Sequence, residues 1–323
     1  MRGVSRSADE RIWQGLQVSQ AAQALAVLAK AKVPCLLLKG AAGLAAGWFE
    51  SGERPLTDVD VLVPPGRLSE AIALLGHDGW SVFRAPSAPD ARRHSQAIRS
   101  PWGFLIDLHW FALRQARWSG ADDLLWRGAM RARLGDAPVL IPCAEDFLVH
   151  TIAHGLRRAS SGARWKEDVQ AVLGHPRLPV NWARVIKASE NYRVTPLVAR
   201  ALEIVAEELP SKVPRIIREK LHRARLPWSD RLFLQLTTDR LEEAGLVQAL
   251  VLVLDFLRTR PMHWSGRPNG FIDFLKDRWE LRSRAAVPGQ LAAVAAWGLQ
   301  SEVHRGCATV RDLLARPSYP AQA

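Results

Sequence analysis

The two halves of the chain carry different hydrophobic patterns, and this contrast limits the possible folds more than any other feature. Before residue 142, short apolar runs such as VPCLLLKG (33–40), DVDVLV (58–63) and GFLIDLHW (103–110) are bounded by glycine or proline. Runs of this length are typical of buried β-strands. From Ala144 onward, apolar residues recur at helical spacing between prolines. The pattern predicts an α+β fold, in which a small mixed β-sheet with flanking helices is followed by an all-α domain.

The change of pattern also predicts a domain boundary near Pro142, with domains at 1–142 and 143–323. The first domain is predicted to contain a helix over about 9–32, a short helix over 40–50 and another over 68–75. Its strands are predicted at 33–40, 58–63, 80–84, 94–100 and 103–110, followed by a hairpin at 131–141. The helices predicted in the second domain are 144–158, 164–173, 181–192, 195–208, 211–223, 229–258, 268–283 and 289–315.

Charge and composition restrict the class of protein. The 323 residues carry a net charge of +12, and most of the excess lies after residue 110, where 32 Lys and Arg face 22 Asp and Glu. This balance favours anionic partners such as nucleotides, nucleic acid or acidic surfaces, and an arginine content that only reflects a GC-rich genome is the alternative interpretation. Three widely spaced cysteines fit neither a disulfide framework nor a zinc site. Since no signal peptide or stretch of about 20 apolar residues is evident, we expect a cytoplasmic protein with no membrane partner.

An acid pair in the second strand is the first candidate for chemistry. Asp58 and Asp60 are two residues apart, so in a strand both carboxylates project from one face. Two such carboxylates repel each other unless a cation lies between them, and Mg²⁺ prefers oxygen ligands of this kind. A triplet of this type is common by chance, and a solvated strand end is the alternative interpretation.

A single acid in a later strand strengthens the metal hypothesis. Asp107 lies within the apolar run FLIDL, where an unpaired buried carboxylate would be costly. A metal shared with Asp58 and Asp60 would supply the missing partner. The alternative is an ion pair between Asp107 and His109, which would lie on the same face, or between Asp107 and an arginine.

The turn after the first strand is a candidate phosphate-binding element. Lys39, Gly40 and Ala41 follow a buried run and begin a segment of small residues. Free backbone N–H groups at the start of a helix bind phosphate well, and Lys39 adds a positive charge. Without further support, the same letters describe only a tight strand-to-helix turn.

In combination, these motifs resemble those of the DNA polymerase beta-like nucleotidyltransferase superfamily. The similarity is greater to an uncharacterised bacterial branch with a K-G turn, an Arg before D-x-D, and I-D-L-H-W. The resemblance covers about residues 30–210, and the wider superfamily has Ser or Gly where this chain has Ala41. The matching stretches are Leu36–Gly43, Arg54–Val63, Ile106–Trp110 and Pro142–Gly155, followed by Trp165 and Asp168.

The resemblance implies an enzyme that transfers a nucleoside monophosphate from an NTP such as ATP to an acceptor hydroxyl or phosphate, with release of pyrophosphate. It implies two Mg²⁺ ions, or Mn²⁺ in their place, bound by Asp58, Asp60 and Asp107. Asp107 would also accept the proton of the acceptor hydroxyl. The residues implied to contact phosphate are Lys39, Gly40, Ala41 and Arg54, and His109 is implied to orient Asp107.

Several alternatives remain open from the sequence. Arg54 could equally be a surface arginine that closes the turn at Pro55. His150 and His154 lie on one helix face, where we expect them to pack or to line a substrate cleft. The whole chain could be a non-catalytic nucleotide- or RNA-binding module, or a toxin–antitoxin component, that retains the fold. The acceptor could be a small molecule, a peptide, a protein or an RNA end.

Overall fold

The computed structural model describes most of the chain as helices and one β-sheet. The description covers residues 8–49, 56, 58–83, 94–156, 164–176, 178–238, 245–263, 270–279, 281–294 and 296. The strands are β1 (Leu36–Leu37), β2 (Val59–Leu62), β3 (Ser81–Val82), β4 (Ser95–Arg99), β5 (Leu105–His109), β6 (Met130–Leu134) and β7 (Ala137–Ile141). The helices are α1 (Ala8–Lys30), α2 (Lys39–Ala45), α3 (Leu68–His77), α4 (Asp123–Arg127), α5 (Ala144–Leu156), α6 (Arg164–Gly174), α7 (Trp182–Asn191), α8 (Thr195–Glu208), α9 (Arg215–Arg223), α10 (Trp228–Thr238), α11 (Gly245–His263) and α12 (Gly270–Arg278).

The seven strands form a mixed sheet in the order β3-β4-β5-β2-β1-β7-β6. Two pairs are parallel, β2 with β5 and β1 with β7, and the other neighbours are antiparallel. Every residue of β2 is buried, which fits its position inside the sheet and its unbroken apolar flanks. Gly103 has φ +88° in the turn between β4 and β5, so the Pro-Trp-Gly turn lies where the sequence predicted it. The mixed sheet and the α+β class are confirmed.

The helical segments after β7 follow the predicted pattern closely up to α9. The sequence predicted one helix over 229–258, whereas the structure describes α10 up to Thr238 and α11 from Gly245. Residues 239–244 lie outside the described part of the chain, so a continuous helix there stays a prediction. Of the helix predicted over 289–315, only residues up to 296 fall within the described part.

The first compact unit comprises residues 1–85 and 93–226. It contains the whole sheet and helices α1 to α9. Leu36, Leu38 and Leu62 pack with Ala112 and Leu125 in one of its core clusters. Within this unit, α5, which is buried from Ala144 to Ala153, contacts both α2 and the later helices. The domains at 1–142 and 143–323 stay a prediction.

The second unit comprises residues 86–92 and 227–323 and contains α10, α11 and α12. Its apolar core includes Leu252, Leu275 and Trp279. Arg258 is fully buried, donates from Nε to Asp230 Oδ1 at 2.5 Å, and lies 3.9 Å above the Phe233 ring. In both units, none of the described helices is long and apolar enough to cross a membrane.

Candidate active site

Two neighbouring strands bring two of the predicted acids together. β2 and β5 run parallel in a register that pairs Asp60 with Asp107. Register partners in a sheet project to the same face, so the two carboxylates lie side by side. Asp60 is only 3% exposed, whereas the Asp107 side chain is 25% exposed. One donor atom each from Asp60, Asp107 and His109 lies within 4.8 Å of the other two.

His109 joins the two carboxylates. Its Nε2 lies 2.9 Å from Asp60 Oδ1 and 3.2 Å from Asp107 Oδ2. Burial opposes a positive charge on this imidazole, but the hydrogen bonds to Asp107 and Asp60 outweigh it and raise the His109 pKa to about 9. The raised pKa favours the protonated form of the ring, whose Nε2 faces both carboxylates. The ion pair with Asp107 that the sequence offered as an alternative is present.

Lys39 is the second positive group at Asp60. Its Nζ lies 2.5 Å from Asp60 Oδ1. Burial alone would raise the pKa of Asp60, but Lys39 and His109 together hold it well below its usual range. The sequence predicted that Lys39 would contact phosphate, and it did not predict this ion pair.

The backbone around Lys39 explains how its side chain reaches the sheet. Lys39 has φ +50°, a left-handed conformation that is rare for residues other than glycine. On one side, the Leu38 N–H donates to the Asp60 carbonyl at 3.0 Å, and on the other the Ala42 N–H donates to the Leu38 carbonyl. The turn is thus fixed at both ends, and it directs the ammonium towards β2.

Gly40 and Ala41 lie in the first turn of α2 and are buried. The small residues of this helix are required by its close packing. A Cβ added at Gly43 would overlap the Phe49 ring, which packs in turn near Phe147 of α5. The predicted phosphate turn is therefore a buried, tightly packed entry to α2.

The remaining predicted site residues are Asp58 and Arg54. Asp58 directly precedes β2, two residues before Asp60. Arg54 lies outside the described residues. The structure thus brings together Lys39, Asp60, Asp107 and His109 around a single carboxylate pair.

Several residues that sequence reasoning did not identify hold the segment that follows β5 in place. The Asp122 carboxylate accepts from the Ala112 N–H at 3.1 Å and from the Tyr192 hydroxyl at 2.9 Å. Gln115 donates to the Ala153 carbonyl at 3.1 Å. Burial is the main reason that the Asp122 pKa rises to about 6. The two adjacent acids Asp122 and Asp123 give no sequence signal for such a role.

The histidines of α5 now have a structural explanation. His150 Nε2 is 3.0 Å from the Ala112 carbonyl, to which it donates, and the His150 ring stacks near that of His154. Burial, assisted by the charge of Lys39, lowers the His150 pKa to about 3. His150 is therefore neutral and supports the segment after β5.

Basic side chains lie near the two acids. The His94 ring meets the His109 ring edge-on at a centroid distance of 5.0 Å. Burial lowers the His94 pKa, and the charges of His109, Arg117, Arg114 and Lys39 lower it further. Arg114 and Arg117, in the segment after β5, therefore lie near His94. A site with this surplus of positive charge suits a polyanionic ligand such as a triphosphate.

Comparison with known proteins gives one family and several structural neighbours. No match was found among curated proteins. The antibiotic-resistance factor ANT(2'')-Ia in solution is 16% identical, with a TM-score of 0.35, covering 65% of this chain and 100% of the other. A nucleotidyltransferase-like antigen from Paracoccidioides brasiliensis is 16% identical, with a TM-score of 0.41, covering 64% and 91%. ANT(2'')-Ia with adenylyl-2''-tobramycin is 16% identical, with a TM-score of 0.34, covering 64% and 97%.

The family model described as "Uncharacterised nucleotidyltransferase" matches residues 5–227. This match ends at residue 227, one residue after the end of the first compact unit. It therefore includes the whole sheet, the acid pair and the helices up to α9. The chain belongs to this family of nucleotidyltransferases.

Proposed function

We propose that this protein transfers a nucleoside monophosphate from an NTP to an acceptor hydroxyl or phosphate, with release of pyrophosphate, in a metal-dependent reaction. The observation that carries the proposal is the register pairing of Asp60 with Asp107 on parallel strands, beside His109 and Lys39. ATP is the donor that we propose to test first. We place the reaction in the bacterial cytoplasm.

The donor atoms fit a hard divalent cation. Asp60 and Asp107 offer carboxylate oxygens within 4.8 Å of each other, and oxygen is the ligand that Mg²⁺ prefers. We assign Asp60 and Asp107 as ligands, together with Asp58, which precedes β2. When bound, Mg²⁺ or Mn²⁺ would neutralise charge on the triphosphate and on the leaving pyrophosphate.

Asp107 is the residue that we assign to the acceptor. It is the more exposed of the two paired acids, so an acceptor can approach it from solvent. Its carboxylate would accept the proton of the acceptor hydroxyl as the acceptor oxygen bonds to the α-phosphorus. The bond between the α-phosphorus and the bridging oxygen breaks, and pyrophosphate leaves with that electron pair. His109 would keep the Asp107 carboxylate oriented through its 3.2 Å contact.

The remaining assignments concern the triphosphate. Lys39 has three N–H donors, of which one is used by Asp60, so the others can contact phosphate oxygens. The backbone of Gly40 and Ala41 would approach the same phosphates, and we include Arg54 because it precedes the acid pair in the sequence. Because Ala41 has no hydroxyl to contact phosphate, triphosphate binding would depend more on the positive charge of Lys39.

The test is transfer of label from α-³²P-labelled NTPs to components of a cell extract. We expect labelling by the wild type and a loss of roughly 10²–10⁴-fold in Asp107→Asn. The matched control is Asp123→Asn, an exposed acid of α4 in the same unit, which should label like the wild type. Equal labelling by wild type and Asp107→Asn would remove the proposed role of the acid pair. Treatment of the labelled products with nuclease or protease then separates RNA, protein and small-molecule acceptors.

A further inference from the structure

We propose that the Lys39 ammonium occupies one of the two cation positions beside Asp60, so that the loaded site binds a single divalent metal ion. The proposal rests on the proposed function, since it concerns the number of ions at the same site. It differs from the two ions that the family resemblance implies.

The first argument is the state of the Asp60 carboxylate. Its Oδ1 already accepts from Lys39 Nζ at 2.5 Å and from His109 Nε2 at 2.9 Å. An acid shared by two metal ions must offer oxygen lone pairs to both of them. Because Oδ1 already contacts Lys39 Nζ and His109 Nε2, Oδ2 is the Asp60 oxygen that we assign to the metal, and we assign one ion to it.

The second argument is that the lysine is held in place by the fold. Asp60 is nearly inaccessible, and the Lys39 side chain is only 20% exposed. The left-handed backbone of Lys39 is fixed by the hydrogen bond from Leu38 to the Asp60 carbonyl, so the start of α2 and the second strand are tied together. A lysine in this rarely populated conformation persists only where the surrounding structure requires it. The ammonium is therefore a permanent part of the site.

The third argument is electrostatic. A divalent cation next to Oδ1 would lie beside the Lys39 ammonium in a buried region, where like charges repel strongly. A single ion between the free oxygen of Asp60 and the Asp107 carboxylate avoids this contact. Lys39 would then supply the fixed positive charge that a second metal ion supplies in a two-ion arrangement. This position would need no metal from solution.

The experiment counts Mn²⁺ ions by electron paramagnetic resonance, on the full-length chain saturated with α,β-methylene ATP, which cannot react at the α-phosphorus. The main variant is Lys39→Gly, because glycine adopts a positive φ without strain and the substitution removes the whole side chain with its ammonium. Lys39→Met is a second variant in case the first does not fold. Lys32→Met is the matched control, since Lys32 is an exposed lysine with a similar φ of +57°.

We expect one Mn²⁺ per chain for the wild type and for Lys32→Met, and two for the Lys39 variants. Two ions in the wild type overturn the proposal without any variant, and one ion in a folded Lys39 variant overturns it as well. If the wild type binds neither the ATP analogue nor Mn²⁺, the proposed function itself has failed. The two failures are thus distinguishable.

Discussion

Replacing Asp122 by asparagine should make the stability of the first unit less dependent on pH. Asp122 is buried and accepts hydrogen bonds from the Ala112 N–H and the Tyr192 hydroxyl. Asparagine has nearly the same shape. Its carbonyl can accept from Ala112, and its amide can donate to the Tyr192 oxygen, so both contacts survive without the charge.

The magnitude follows from the pKa of the carboxyl. The Asp122 pKa rises from its ordinary value of 3.8 to about 6. Burial is the largest cause, and it outweighs the opposing effect of the two hydrogen bonds. The folded state therefore holds its proton over a range in which the unfolded chain has lost it, and stability falls as the pH rises from about 4 to about 6. A pKa difference of about 2.2 corresponds to about 3 kcal/mol of stability, which is fully present below about pH 4 and lost above about pH 6.

The assay is urea unfolding of the wild type and Asp122→Asn, followed by circular dichroism between pH 4 and pH 8. We expect the difference in unfolding free energy to move by about 3 kcal/mol in favour of the variant across this range. Asp123→Asn is the control, since Asp123 is the adjacent acid but is exposed, and its difference should stay within about 0.5 kcal/mol. A wild-type-to-Asp122→Asn difference that is constant with pH would refute the reasoning.

Three further predictions concern the site and the two units. His109→Gln should lower label transfer by roughly 10–100-fold while Mn²⁺ binding by the free chain is retained, because the ring orients Asp107; loss of Mn²⁺ binding would instead make His109 a ligand. Gly128→Ala should lower the unfolding free energy by about 1–3 kcal/mol in thermal melts, since the added Cβ would displace the Arg184 guanidinium from Asp146 and the Leu124 carbonyl. Arg258→Met should lower the unfolding free energy by about 3–5 kcal/mol, because it leaves the Asp230 carboxylate buried without its cation. An unchanged thermal melt would show that water reaches this pair.

Much of the secondary structure could be predicted from the sequence because it depends on local patterns. The buried strands were marked by continuous apolar runs, and the turn at Gly103 by its glycine and proline neighbours. Contacts between distant segments could not be predicted in this way. A change from strands to helices marks a change of local pattern, whereas the packing of α5 against α2 depends on contacts between segments distant in the chain.

The polar contacts of the site show the same limit. The ion pair between Lys39 and Asp60 depends on a single backbone angle, and nothing in the letters around Lys39 signals a positive φ at a lysine. Asp122 and His150 support the segment after β5 through contacts between residues that are distant in the sequence. His150 bonds to Ala112, 38 positions away, and Asp122 bonds to Tyr192, 70 positions away. Such contacts are set by the tertiary fold, so local reasoning finds the residues but not their partners.

The pairing of Asp60 with Asp107 is nevertheless fixed by the hydrophobic pattern. The opposite face of the two strands is formed by Val59 and Val61 of β2, which pair with Ile106 and Leu108 of β5, and all four are at most 2% exposed. A slip of one residue between the strands would turn these apolar side chains towards the acids and bury the carboxylates in the core. The free energy of apolar burial therefore selects the one register in which the acids meet, and the position of the candidate active site follows from residues that take no part in its chemistry.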